Sequence, residues 1–109
     1  MGDIFAADIL DWQQVRPELT SGVQGRTLLD GGVKIVLTRV GPGGGFPPHR
    51  DAYGHLFYFL SGTGIVRVGE NEAEAVPGLV VRVSPGELHS YENAGSADLT
   101  LISVNVPPP

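Results

Sequence analysis

From Gly25 to Val106 the chain is cut into short apolar segments by turn residues, and this punctuation limits what it can fold into. It carries 16 glycines and 9 prolines in 109 residues. Glycine interrupts regular structure by admitting positive φ, and proline does so by removing a backbone donor. Between the interruptions, segments rich in Val, Ile, Leu, Phe and Tyr last only for strand lengths: 26–29, 33–40, 46–51, 55–60, 65–68, 72–76, 79–83, 88–92 and 98–106. Gly31-Gly32 and Ser61-Gly62-Thr63-Gly64 read as turns, and Gly41 to Gly45 reads as a sharp break. Nine short strands with no long helical pattern predict a single all-β domain, either a sandwich or a barrel.

Residues 25–106 therefore form the β domain. Residues 1–24 are an N-terminal arm, with a helical turn or two around Trp12 and Val15, limited by Pro17, or a short strand packed on the domain or on a partner subunit. Residues 107–109 are all proline and form a tail that cannot pair in a sheet.

Composition excludes several classes of function. With 41% hydrophobic and 17% charged residues the chain is globular. Its formal charge of −5, without a run of Lys or Arg, argues against nucleic acid or an anionic membrane as partner. No apolar stretch approaches the ~20 residues of a membrane-spanning helix. Met1-Gly2-Asp3-Ile4-Phe5 lacks the basic start of a signal peptide, and the absence of cysteine rules out disulfide and thiolate chemistry. A cytoplasmic protein is expected.

The chemistry lies in the histidines. All three fall into one pattern with an aspartate: His49-x-Asp51-x-x-x-His55, and later Pro85-Gly86-Glu87-Leu88-His89. Imidazole and carboxylate are ligands for borderline divalent metals. If residues 46–51 form a strand, His49 and Asp51 project to one face about 6.6 Å apart. His55 opens the next strand, and His89 must be brought in by the fold. An isolated histidine is more often structural, and Asp51 alone could cap a turn. The shared register favours a common ion over both.

These residues resemble the motifs of the cupin superfamily. The first cupin motif is Gly, five residues, His-x-His, three or four residues, Glu, six residues, Gly. Gly43, His49, Asp51, His55 and Gly62 occupy its slots. The second is Gly, five residues, Pro-x-Gly, two residues, His, three residues, Asn. It is filled by Gly78, Ser84, Gly86, His89 and Asn93. Asp51 stands where cupins usually have the second histidine, and His55 where they usually have glutamate. The inventory of three imidazoles and one carboxylate is kept, with two positions exchanged. The resemblance implies a double-stranded β-helix, the jelly-roll or cupin barrel. It also implies one divalent metal ion (Fe, Mn, Ni or Zn) held by His49, Asp51, His55 and His89. Either all four ligate, or three histidines do so while Asp51 orients an imidazole from behind.

An enzyme of this kind acts on a small organic molecule, with dioxygenase chemistry ahead of isomerase or lyase chemistry. The alternatives are a non-catalytic binding or sensing barrel and a barrel without metal. Arg39, Tyr53, Glu87 and Tyr91 are candidates for the pocket wall, whereas Phe57 and Phe59 are expected to be core. Residues 33–40 and 99–104 are apolar on both faces, which predicts a homodimer that covers the outer one.

Overall fold

In the computed structural model, which describes residues 2–108, a 3₁₀ turn at Ala7–Ile9 precedes nine strands. These are β1 (Gln13–Gln14), β2 (Ser21–Asp30), β3 (Lys34–His49), β4 (Gly54–Ser61), β5 (Gly64–Val68), β6 (Asn71–Ala75), β7 (Val80–Val83), β8 (His89–Asn93) and β9 (Leu99–Val106). Every pairing is antiparallel. The order β6-β5-β8-β3-β9-β4-β7, with β2 also on β3 and β1 on β2, curls the strands into a double-stranded β-helix.

Strand β3 joins the two layers. Its first half, Lys34 to Val40, lies between β2 and β9, and its second half pairs with β8 from Gly45. The expected break at Gly41–Gly45 is instead a corner within one continuous strand. Glycine lets the backbone turn there without ending the strand, with Gly43 at φ 78°. The expected segments 33–40 and 46–51 are thus one element, which stops at His49, short of Asp51. The one helical turn of the arm lies at Ala7–Ile9; between Trp12 and Val15, where a helical turn was one expectation, the arm forms the short strand β1, and β2 starts at Ser21. Pro107 and Pro108 are exposed beyond β9; Met1 and Pro109 lie outside the described residues.

The core fills only one end of the barrel. Val40, Phe59, Leu99 and Leu101 are completely buried there, each stabilising the fold by about 1.5–3 kcal/mol through lost apolar exposure. Along the same inward rows the residue type then changes. On β9, Leu99 and Leu101 give way to Ser103 and Asn105; on β4, Phe59 and Phe57 give way to His55. The barrel is therefore solid at one end and polar at the other.

Asn93 locks the solid end. Its Nδ2 donates to the Val40 and Ala97 carbonyls, both at 2.8 Å, and its Oδ1 accepts from Gly95 N at 2.8 Å. The outer face of the β3-β9-β4-β7 layer forms apolar rows. Ile35, Val104 and Leu56 stand opposite one another, as do Leu37, Ile102, Tyr58 and Val80. Tyr58 and Val80 are 43% and 50% exposed. The apolar character expected on both faces is present.

Asn93→Ala strips partners from the buried Val40 carbonyl, the part-buried Ala97 carbonyl and one amide, so it should lower the unfolding free energy by about 2–4 kcal/mol. Urea denaturation measures this; a loss below about 0.5 kcal/mol would show the network to be dispensable.

Candidate metal centre

Pro47 and Pro48 cannot donate to a ladder, and the β3–β8 register slips between Phe46 and His49. That slip turns His49 onto the same inward face as Phe46, opposite His89 on β8. The freed Pro47 carbonyl accepts from His49 Nδ1 at 2.8 Å. Asp51 lies beyond the strand end, so shared strand parity does not bring it in. The connection does so: Gly86 N donates to the Asp51 carbonyl at 2.7 Å, and Arg50 Nη1 donates to the Gly86 carbonyl at 3.0 Å. This clamps the 50–53 segment to the Ser84–Glu87 turn that launches His89. His55 begins the inward row of β4 and donates from Nδ1 to the Asn105 side-chain oxygen at 3.1 Å. His89 Nδ1 donates to the Glu87 carbonyl at 2.9 Å.

With each Nδ1 carrying a donated proton, the three Nε2 atoms turn toward one carboxylate oxygen. His55, His49 and His89 Nε2 lie 2.8, 3.1 and 3.6 Å from Asp51 Oδ2. The Asp51 side chain is 7% exposed, and its Oδ1 accepts from Arg16 Nη1 at 2.9 Å. Burial opposes ionisation of Asp51, but the His55 hydrogen bond, the His49 charge and Arg16 outweigh it and hold the carboxyl below its ordinary range. Burial, reinforced by His49 and His55, pushes the His89 imidazolium below its ordinary value, so this ring is held neutral.

A neutral ring protonated on Nδ1 offers only a lone pair at Nε2. Wherever an Nε2 carries no proton, its lone pair faces the carboxylate oxygen, and a cation between them would satisfy both. His89 Nε2 is buried with no hydrogen-bond partner, and a proton is disfavoured there. A divalent ion meets the same demand. Bonds of about 2.1 Å separate neighbouring ligand atoms by about 3.0 Å at right angles and about 3.4 Å at tetrahedral angles. The observed 2.8–3.6 Å separations span those values. The residues therefore fit a metal. The compact donor set is His49, Asp51 and His89, whose ligand atoms lie within 4.8 Å of one another, with His55 beside it on the Asp51 oxygen.

The site opens into a cavity of about 320 Å³. Of the pocket candidates, Tyr53 and Tyr91 line it. Tyr53 stands edge-on to His55, with 5.0 Å between ring centroids. Tyr91 packs against Phe46 and Phe57. Burial raises both phenols above their ordinary value, aided at Tyr53 by the Asp51 charge, so both remain protonated donors. Phe59 is core, as expected, whereas Phe57 is buried and also forms cavity wall.

Two expected pocket residues are placed elsewhere. Arg39 stands on the outward parity of β3, donates from Nε to Gln24 Oε1 at 2.8 Å and stacks on Trp12. The Glu87 carboxylate caps its own turn, accepting from Ser84 N at 3.0 Å. Arg16, Lys34, Ser103 and Asn105 line the cavity instead. The alternation Leu99, Leu101, Ser103, Asn105 would have revealed the last two. Arg16 carries no comparable local signal.

The lowered His89 value makes a signed prediction for the metal-free protein. The unfolded chain takes up a proton near pH 6.5, and folded His89 does so only at lower pH. The stability from neutral His89 is thus present above that pH and lost as pH falls through it. Urea midpoints should drop between about pH 7.5 and about pH 5.5, and His89→Asn should flatten the drop. An equally steep drop in the variant would contradict the assignment.

Residues 36–105 match the family model of the cupin domain. No curated relative matches the chain. Among solved structures, it is similar to a predicted oxalate decarboxylase from Thermotoga maritima, with a TM-score of 0.86, 20% identity, and 97% of this chain and 100% of that one covered. The polyketide cyclase RemF from Streptomyces resistomycificus also gives 0.86 at 20% identity, covering 96% and 79%. KdgF from Halomonas sp. gives 0.85 at 20% identity, covering 98% and 96%. At these identities the likeness speaks for the fold, and the match over residues 36–105 decides the family: the chain belongs to the cupin-domain proteins.

Proposed function

We propose that the protein is a mononuclear metal-dependent enzyme acting on a small organic substrate, with iron(II) oxygenase chemistry as the leading activity. The observation that carries this is the compact set of two imidazoles and one carboxylate at the head of a cavity. Two histidines and one carboxylate on one face of an ion leave positions open, the arrangement used by non-haem iron oxygenases. A bound ion would supply Lewis acidity and, as iron(II), a place for dioxygen beside the substrate.

The chain's own residues supply the rest. The Pro47, Glu87 and Asn105 oxygens fix the three rings through Nδ1, which aims each Nε2 at the Asp51 oxygen. Arg16 occupies one Asp51 oxygen and leaves the other for the ion. Phe46, Phe57 and Tyr91 wall off the inner side from water, and Tyr53 and Tyr91 offer phenol protons to a ligand. Lewis-acid isomerase or lyase chemistry is the second reading. It is favoured by the polar wall of Ser103 and Asn105 and by the cyclase and decarboxylase names of the solved neighbours.

Protein purified without an affinity tag should contain about one metal ion per chain by elemental analysis. His89→Ala should lose it. The iron-loaded protein should consume oxygen with at least one member of a panel of small diketones, thiols and phenols. Metal without oxygen uptake favours the second reading or a binding role. No metal in the wild-type protein, or full stoichiometry in His89→Ala, would contradict the proposal.

We also infer that the apolar rows on the outer face pair with a second copy of the chain, because exposed Tyr58 and Val80 extend the half-buried row of Leu37 and Ile102. Sedimentation at micromolar concentration should show a dimer, and Tyr58→Glu should shift it toward monomer. Wild-type monomer alone would remove this inference.

A further inference from the structure

The proposed metalloenzyme leaves two cations on the cavity wall unexplained, although the chain as a whole is acidic. Arg16 comes from the N-terminal arm and Lys34 from the start of β3. Asp51 is the cavity's one acidic residue, and it already faces Arg16 and the imidazoles. With a divalent ion in place, the cavity would carry a net positive charge.

The arm is built to aim Arg16 inward. Arg16 has φ 44°, the one positive value outside glycine among the described residues. Such a backbone is strained and persists only where its surroundings impose it. Here the Arg16 carbonyl accepts from Leu19 N and Thr20 N, both at 2.9 Å. Further out, the guanidinium groups of Arg26 and Arg39 both pack on Trp12, 4.3 and 4.1 Å from its ring centroid. The guanidinium of Arg16 then lies 5.9 Å from the centroid of Phe46, on the inner side. Nη1 is used on Asp51 and Nε lies 3.5 Å from Glu18 Oε1, and the planar fork retains further donors for a ligand.

Lys34 is placed by register. It stands opposite Asn105 on β9, and Asn105 stands opposite His55 on β4. The row Lys34, Asn105, His55 crosses three neighbouring strands and spans about 10 Å. A flexible ammonium at one end of that row reaches a ligand held near His55 at the other.

We propose that the substrate is a small organic acid, and that Arg16 and Lys34 bind its carboxylate while the rest of the molecule lies against the metal centre. This rests on the metalloenzyme reading and narrows its substrate class. Arg16 acts as a specificity residue, beyond tying the arm to the barrel.

The test uses malonate as carboxylate probe and malonamide as its neutral counterpart, titrated calorimetrically into the metal-loaded full chain. Malonate should bind, and malonamide should bind at least about tenfold more weakly. Arg16→Gly keeps the φ 44° backbone without strain and removes the guanidinium, so it separates charge from arm geometry. It should weaken malonate at least about tenfold, leave malonamide unchanged and retain one metal ion. Lys34→Gln, at an exposed position, should act in the same direction and more weakly. Metal retained with unaltered malonate affinity in both variants would overturn this inference alone, as would failure of malonate to bind the metal-loaded wild type. A wild-type protein that holds no metal would overturn the parent reading as well.

Discussion

Three imidazole nitrogens crowd one oxygen of a buried carboxylate, and each imidazole is held by an oxygen acceptor on its far side. That arrangement sets a charge requirement which the protein alone meets poorly. Protons on all three rings would repel one another, and burial disfavours one on His89. Neutral rings would leave lone pairs facing a carboxylate. One divalent ion removes both difficulties, and the walls of the cavity are arranged around that position.

The barrel supplies this geometry through irregularities in its strands. Two consecutive prolines force the slip that turns His49 inward, and the carbonyl that one of them exposes then orients the ring. The Gly86 turn docks on the Asp51 backbone, so the segment carrying the carboxylate and the strand carrying His89 are fixed together. Asn93 ties the opposite, solid end. Stability and function are thus divided along the barrel axis: aliphatic and aromatic side chains pack one end, and polar groups meet at the other.

Much of this was legible in the sequence. Glycine and proline spacing located the strands because turns demand those residues almost regardless of context. The histidine pattern located the centre because three imidazoles in motif register have few other uses. The Gly41–Gly45 corner was misread as a break, since glycine permits a bend without requiring the ladder to end. Asp51 was placed on a strand and comes in from a loop instead. Of the pocket candidates, strand parity puts Arg39 outside and a local turn captures Glu87. Arg16 was invisible, because its position depends on an arm folding back across a whole domain, which no local pattern encodes.

An anomalous-difference map across the absorption edges of Fe, Mn, Ni and Zn, from crystals of untagged protein, tests the metal centre most directly. The account predicts one peak bonded at about 2.1 Å to Nε2 of His49 and His89 and to an Asp51 oxygen. No peak there, with the three rings still turned toward Asp51, would contradict it.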